Sequence, residues 1–221
     1  MTESMHDFVK AINEAKPRWS AEGVTLRLGM EADYFPGSEQ MLKELVGIYE
    51  WDYVIGSVHY IYGWGFDNPD TQDHFENYNL ENLYRDFFMM VEKAIRSNIF
   101  QFVAHLDNLK VFNYRPDERL LLPYYENIAK ALVETDTATE INAGLYYRYP
   151  VQEMCPSPTF LDVLIKAGVP LTTSSDSHFP DDIGAFIDVN TRTLLEKGVT
   201  EIATFQKKKR IMKPIKDSHP F

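Results

Sequence analysis

The chain has 221 residues, which fits one domain, and its 44% hydrophobic and 25% charged content reads as a soluble globular protein whose core needs no covalent staples. Asp and Glu outnumber Lys and Arg by 33 to 22, and the net charge of −11 argues against holding nucleic acid by general electrostatics. A single cysteine, Cys155, rules out an internal disulfide; no apolar run approaches the roughly 20 residues of a membrane span, and the start lacks a signal peptide, so a cytoplasmic protein with no membrane contact is expected.

The first strand is expected at residues 24–30, "VTLRLGM", which is β-branched and alternating. "SEQMLKELVGIYE" then reads as a helix opened by Ser38 as N-cap. A second strand is expected at 53–58. Residues 59–79, "HYIYGWGFDNPDTQDHFENYN", carry the Gly, Asp, Asn and Pro of a long loop; its aromatics suit either the wall of a small-ligand site or a loop packed on itself. "NLENLYRDFFMMVEKAIRSN" places Leu80, Leu83, Tyr84, Phe87, Phe88 and Val91 at helical spacing, so its aromatic content is read as core.

A third strand is expected at 99–104, then a helix in "LPYYENIAKALVE" and a fourth strand at 138–142. "SPTFLDVLIKAG" has Ser157 as N-cap, Pro158 at the first helical position and Gly168 closing the helix. The fifth strand is expected at 169–175. The basic run "KKKR", residues 207–210, is expected to be a solvated helix end that complements the macrodipole. The alternation predicts an α/β domain with a largely parallel sheet, and a barrel or an open sheet would both suit.

In such a sheet every strand delivers its C-terminal end to one face. The first strand ends at Glu31, the second at His59, the third at His105 and the fifth at Asp176 and His178. A lone histidine after a strand is usually structural, but five potential ligands on one rim predict a shared metal site. Imidazole with carboxylate suits zinc, manganese or iron. Of the other histidines, His6 and His219 are given no role, and His74 is within the long loop and could reach a ligand.

The segments "GMEADYFPG", "YVIGSVHYIYGWGFDNP", "VAHLDNLKVF", "EINAGLYYRYP" and "TTSSDSHFPDDIG" resemble, in that order, motifs of the PHP (polymerase and histidinol phosphatase) superfamily. The similarity is closest to the monofunctional histidinol-phosphatases of histidine biosynthesis. The resemblance implies a distorted barrel of seven βα units that hydrolyses phosphate esters at up to three metal ions. It implies that Glu31 bridges two metals, that His59 and His105 complete one of them, and that Asp176 and His178 serve the first and third. Asp176 and His178, with Asp107, are then the catalytic candidates; Asp107 would orient a ligand or assist the leaving group, although a helix N-cap is its simpler account. Arg148 and, more weakly, Arg115 become phosphate clamps, with a surface salt bridge as the alternative.

The family opens with a strand ending in His-x-His and a second strand followed by another histidine, and neither is present here. The chain is therefore expected to be one domain, residues 1–221, covering the later five βα units. A piece or misassigned start of a normal enzyme is favoured over a two-chain arrangement, with a complementing N-terminal chain or a homo-oligomer, and over an inactive truncated protein. The expected reaction is hydrolysis of a small phosphorylated substrate, L-histidinol phosphate. A phosphoesterase for another small ester, or a non-catalytic metal-binding remnant, are the alternatives.

Overall fold

The computed structural model describes residues 2–215, so His219 lies outside the described residues. Helix α1 (Thr2–Ala21) leads into β1 (Gly29–Asp33), α2 (Glu39–Val46), β2 (Tyr53–Ser57) and a small hairpin of β3 (Tyr60–Ile61) and β4 (Trp64–Gly65). There follow α3 (Leu80–Arg96), β5 (Phe102–Val103), α4 (Leu122–Glu134), β6 (Ala138–Asn142), α5 (Gly144–Arg148), α6 (Pro158–Ala167), β7 (Leu171–Ser174) and α7 (Ile187–Glu196). A second hairpin, β8 (Glu201–Gln206) and β9 (Lys209–Pro214), comes last.

Strands β1, β2, β5, β6 and β7 lie side by side in that order, and every pairing is parallel. These are the five βα units expected, arranged among the described residues as an open sheet with β1 and β7 at its edges; the arrangement is compatible with a barrel wall. The register puts Glu31 beside Ile55, Phe102 beside Ala138, and Glu140 beside Thr172. Side chains alternate along each strand, so Val54 and Val103 face the helices while Glu31, Ile55 and Glu140 share the other face.

The helical face builds the main core. Leu83, Tyr84, Phe87, Phe88 and Val91 of α3 are buried, as their spacing predicts, and Phe88 packs against the rings of Tyr124, Tyr125 and Phe160. Helix α1 adds Val9, with Met5 and Ile12 against the same cluster. Gly168 closes α6 in the left-handed conformation, φ 77°, where a side chain would be strained.

Two expectations need correction, and one open alternative is decided. The first strand begins at Gly29, later than residues 24–30, because its partner β2 begins only at Tyr53. Before that point Asp52 takes over the pairing: its carboxylate accepts from the Leu28 amide at 2.9 Å, and its own amide donates to the Leu28 carbonyl at 2.7 Å. The basic run is a hairpin turn, not a helix end. Lys207 and Lys208 both have positive φ, and their amides donate to Oδ1 and the carbonyl of Asp52. In the long loop the aromatics pack inward: Trp64 meets Phe75 and stacks on Tyr78, and Phe75 stacks on Tyr114. Among the described residues no helix is long and apolar enough to cross a membrane.

Candidate active site

The five parallel strands point their C-terminal ends at one rim, and a pocket of about 230 Å³ opens there. Glu31 and Asp33 are two apart on β1 and so share a face. His59 lies two residues beyond β2, His105 two beyond β5, and Asp176 and His178 follow β7. All six line the pocket, together with Arg148 from the last turn of α5. The hairpin β8–β9 covers the opposite end of the same sheet face, where Phe205 packs on Phe102 at 5.4 Å and on Tyr53 at 6.1 Å.

Glu31, His59 and His105 each offer a ligand atom within 4.8 Å of the others. Glu31 Oε1 is 3.2 Å from His105 Nε2 and 3.7 Å from His59 Nε2. On its far side His59 Nδ1 is held by Asp33 Oδ1 at 2.6 Å, which fixes the ring and leaves Nε2 facing Glu31. Two imidazoles and a carboxylate, one imidazole braced by a second carboxylate, form a donor set that fits a divalent transition ion. His105 and Asp176 both have positive φ, 24° and 51°, a strained conformation of the kind concentrated at functional sites.

The charges are strongly coupled. Burial alone would raise the Glu31 carboxyl, but hydrogen bonding and charge from His105, with His59 and Ser57 adding to them, hold it down at about 2. Burial would depress His105, yet Glu31, assisted by Glu140 and Asp176, pushes it up to about 9. Glu140 is fully buried beneath the rim and raised by that burial to about 7. It accepts from the His105 amide at 3.0 Å and from Asn142 at 2.7 Å.

Arg148 bridges the other half of the pocket. Its Nη2 donates to Asp176 Oδ2 at 2.5 Å and its Nη1 lies 3.3 Å from His178 Nε2. Gly144 makes this contact possible: a Cβ there would lie 2.5 Å from Asp176 Oδ2 and 2.6 Å from Arg148 Nη2.

Two sequence candidates are not brought to this pocket. Asp107 is buried in a separate polar cluster, accepting from the Ser157 amide at 2.8 Å and the Cys155 thiol at 2.7 Å and pairing with Lys110 at 3.1 Å. It precedes a short 3₁₀ turn, Asn108–Lys110, without capping it through its side chain. Arg115 is paired with Glu153 at 3.0 Å, the salt bridge that was its alternative. His74 packs on Trp64 and His6 lies beside Tyr49. Conversely, sequence reasoning gave no role to Asp33, Asp67 and Glu140. The strand period that links Asp33 to Glu31 could have found the first.

A model of the PHP domain matches residues 1–144, more than half of the chain. The chain belongs to the PHP domain family. Among curated proteins this PHP domain is 36% identical, over 183 residues, to a "Probable histidinol-phosphatase" of Deinococcus radiodurans, covering 82% of this chain and 68% of that protein. A "Probable histidinol-phosphatase" of Schizosaccharomyces pombe is 25% identical over 214 residues, covering 90% and 69%. Among solved structures, the histidinol phosphate phosphatase of Lactococcus lactis, in complex with zinc, L-histidinol and phosphate, superposes with a TM-score of 0.76 at 19% identity, covering 94% of this chain and 79% of that one. At that identity the likeness establishes the PHP fold and leaves the chemistry to the residues.

Proposed function

We propose that the chain is a metal-dependent phosphomonoester hydrolase that splits L-histidinol phosphate into L-histidinol and phosphate. The observation that carries this reading is the convergence of Glu31, His59 and His105 from three strand ends, opposite Arg148, in one small pocket. The name shared by the Deinococcus and yeast relatives supports the substrate.

Glu31, His59 and His105 would hold a zinc, manganese or iron ion, and Asp176 and His178 stand ready as further ligands. An ion in that place supplies Lewis acidity toward phosphoryl oxygens and lowers the pKa of a water. Asp33 keeps the His59 ring in the orientation and tautomer that present Nε2. Arg148 offers a planar pair of donors matched to phosphate oxygens, and its present partner Asp176 is a carboxylate in the position a phosphate would contest. His178, more than half exposed, lies next to Arg148 in the same pocket. Water attacks phosphorus, the P–O bond to the alcohol breaks, and that oxygen leaves with a proton. Release of phosphate from L-histidinol phosphate should stop on chelation and return with added zinc or manganese; release that ignores the chelator would refute the proposal.

A further inference from the structure

Among the described residues four carboxylates line the pocket: Glu31, Asp33, Asp67 and Asp176. Three are engaged. Glu31 faces both histidines, Asp33 holds His59, and Asp176 holds Arg148. Asp67 has neither a hydrogen bond nor a cation among the described residues. It is outside the cluster of three groups that can share an ion. A half-buried carboxylate kept unpaired in a net-acidic protein, in a pocket that must admit a phosphate dianion, works against binding unless the ligand brings a positive charge to meet it.

The backbone fixes Asp67 firmly. The preceding Phe66 is fully buried against Phe87, and its amide donates to the His59 carbonyl at 3.2 Å. The following Asn68 caps the 3₁₀ helix Pro69–Asn77 through the Asp70 amide at 2.9 Å. Asp67 is therefore preorganised rather than carried on a free loop. Its charge acts on Tyr149, whose phenol is raised first by burial and then by Asp67. The ring of Tyr149 also lies 5.5 Å from the Arg148 guanidinium. The pocket wall thus runs from a free anion, Asp67, across an aromatic ring to a cation, Arg148.

We infer that Asp67 is a specificity-determining residue that binds the ammonium group of the substrate, so that the pocket selects phosphate esters of amino alcohols over plain phosphomonoesters. This rests on the phosphatase reading above and adds to it the reason for choosing such an ester. With the phosphate toward Arg148, the ammonium of an amino-alcohol ester reaches the one carboxylate not already claimed. An ester without the amine leaves Asp67 facing a dianion with nothing between them, which penalises the wrong substrate as well as favouring the right one.

The test compares L-histidinol phosphate with 3-(imidazol-4-yl)propyl phosphate, the same ester without its amine. Turnover of both is measured, together with calorimetric binding of the two free alcohols, on the wild-type chain, Asp67→Asn and Asp67→Glu. The wild type should prefer the amine-bearing compound in both assays. Asp67→Asn should reduce that preference by about ten- to a hundred-fold, chiefly through KM, and Asp67→Glu should retain much of it. A wild type with no preference, or a preference that survives in Asp67→Asn, would overturn the inference. Binding preference without turnover would support the amine site and count against the phosphatase reading alone, so the two failures are separable.

Discussion

Gly144 matters for the atom it lacks. Its missing Cβ is the space in which Arg148 and Asp176 meet. Gly144→Ala should push that pair apart, raising KM for the phosphate ester at least tenfold while costing about 1–3 kcal/mol of stability as an overpacked site. Steady-state kinetics with denaturant unfolding check this, and an unchanged KM would show that the pair does not serve the substrate. His105 makes the second prediction. Its pKa in the metal-free protein is about 9, so at neutral pH the imidazole carries a proton that a metal must displace. Zinc affinity, followed by competition with a chelator, should therefore rise by about tenfold per pH unit and flatten near 9. The same interaction stabilises the metal-free fold fully below the ordinary imidazole pKa, and that contribution is lost as pH rises through about 9. An affinity flat between pH 6.5 and 8.5 would contradict the assignment.

The segment between β5 and α4 and the one between α5 and α6 are joined by a buried cation. Lys110, with 3% of its side chain exposed, reaches Glu153 at 2.7 Å, the Met154 carbonyl at 2.8 Å and Asp107 at 3.1 Å. Removing one member of such a group leaves buried charge unpaired, so Lys110→Met should cost about 3–5 kcal/mol in denaturant unfolding. A loss below about 1 kcal/mol would mean that the cluster is neutralised or hydrated. This cluster also explains why Asp33 and Asp107, each two residues from a candidate ligand, end so differently. Asp33 lies inside β1, where alternation keeps it on the Glu31 face. Asp107 lies beyond the end of β5, where alternation no longer applies, and its carboxylate turns to the Ser157 amide instead. The hairpin β8–β9 was illegible for a related reason. Its turn residues, Lys207 and Lys208, both adopt positive φ, a conformation that Gly, Asn or Asp normally signals.

The whole molecule divides its sheet between two tasks. At the C-terminal ends of the strands the shared face is polar and open as the pocket; at the N-terminal ends Phe205 of the hairpin packs against Tyr53 and Phe102 beside a second cavity of about 340 Å³. The five βα units were legible because strand and helix periods alternate with short connections, and the rim followed from the parallel direction alone. That is why Glu31, His59, His105, Asp176 and His178 reach one pocket as the sequence suggested, while Arg148 was pointed to only by the family resemblance. The long loop was ambiguous because an aromatic composition serves a ligand wall and a self-packed loop equally. Its ring contacts decide for packing and leave Asp67, with His59 at its start, as the residues it sends to the pocket. The most direct test of the account is metal per chain, by elemental analysis of the purified wild-type protein and of His59→Ala. At least one equivalent in the wild type, lost in His59→Ala together with phosphate release, is the predicted result. No bound metal in the wild type, or full occupancy without His59, would contradict the convergence of Glu31, His59 and His105 on one ion.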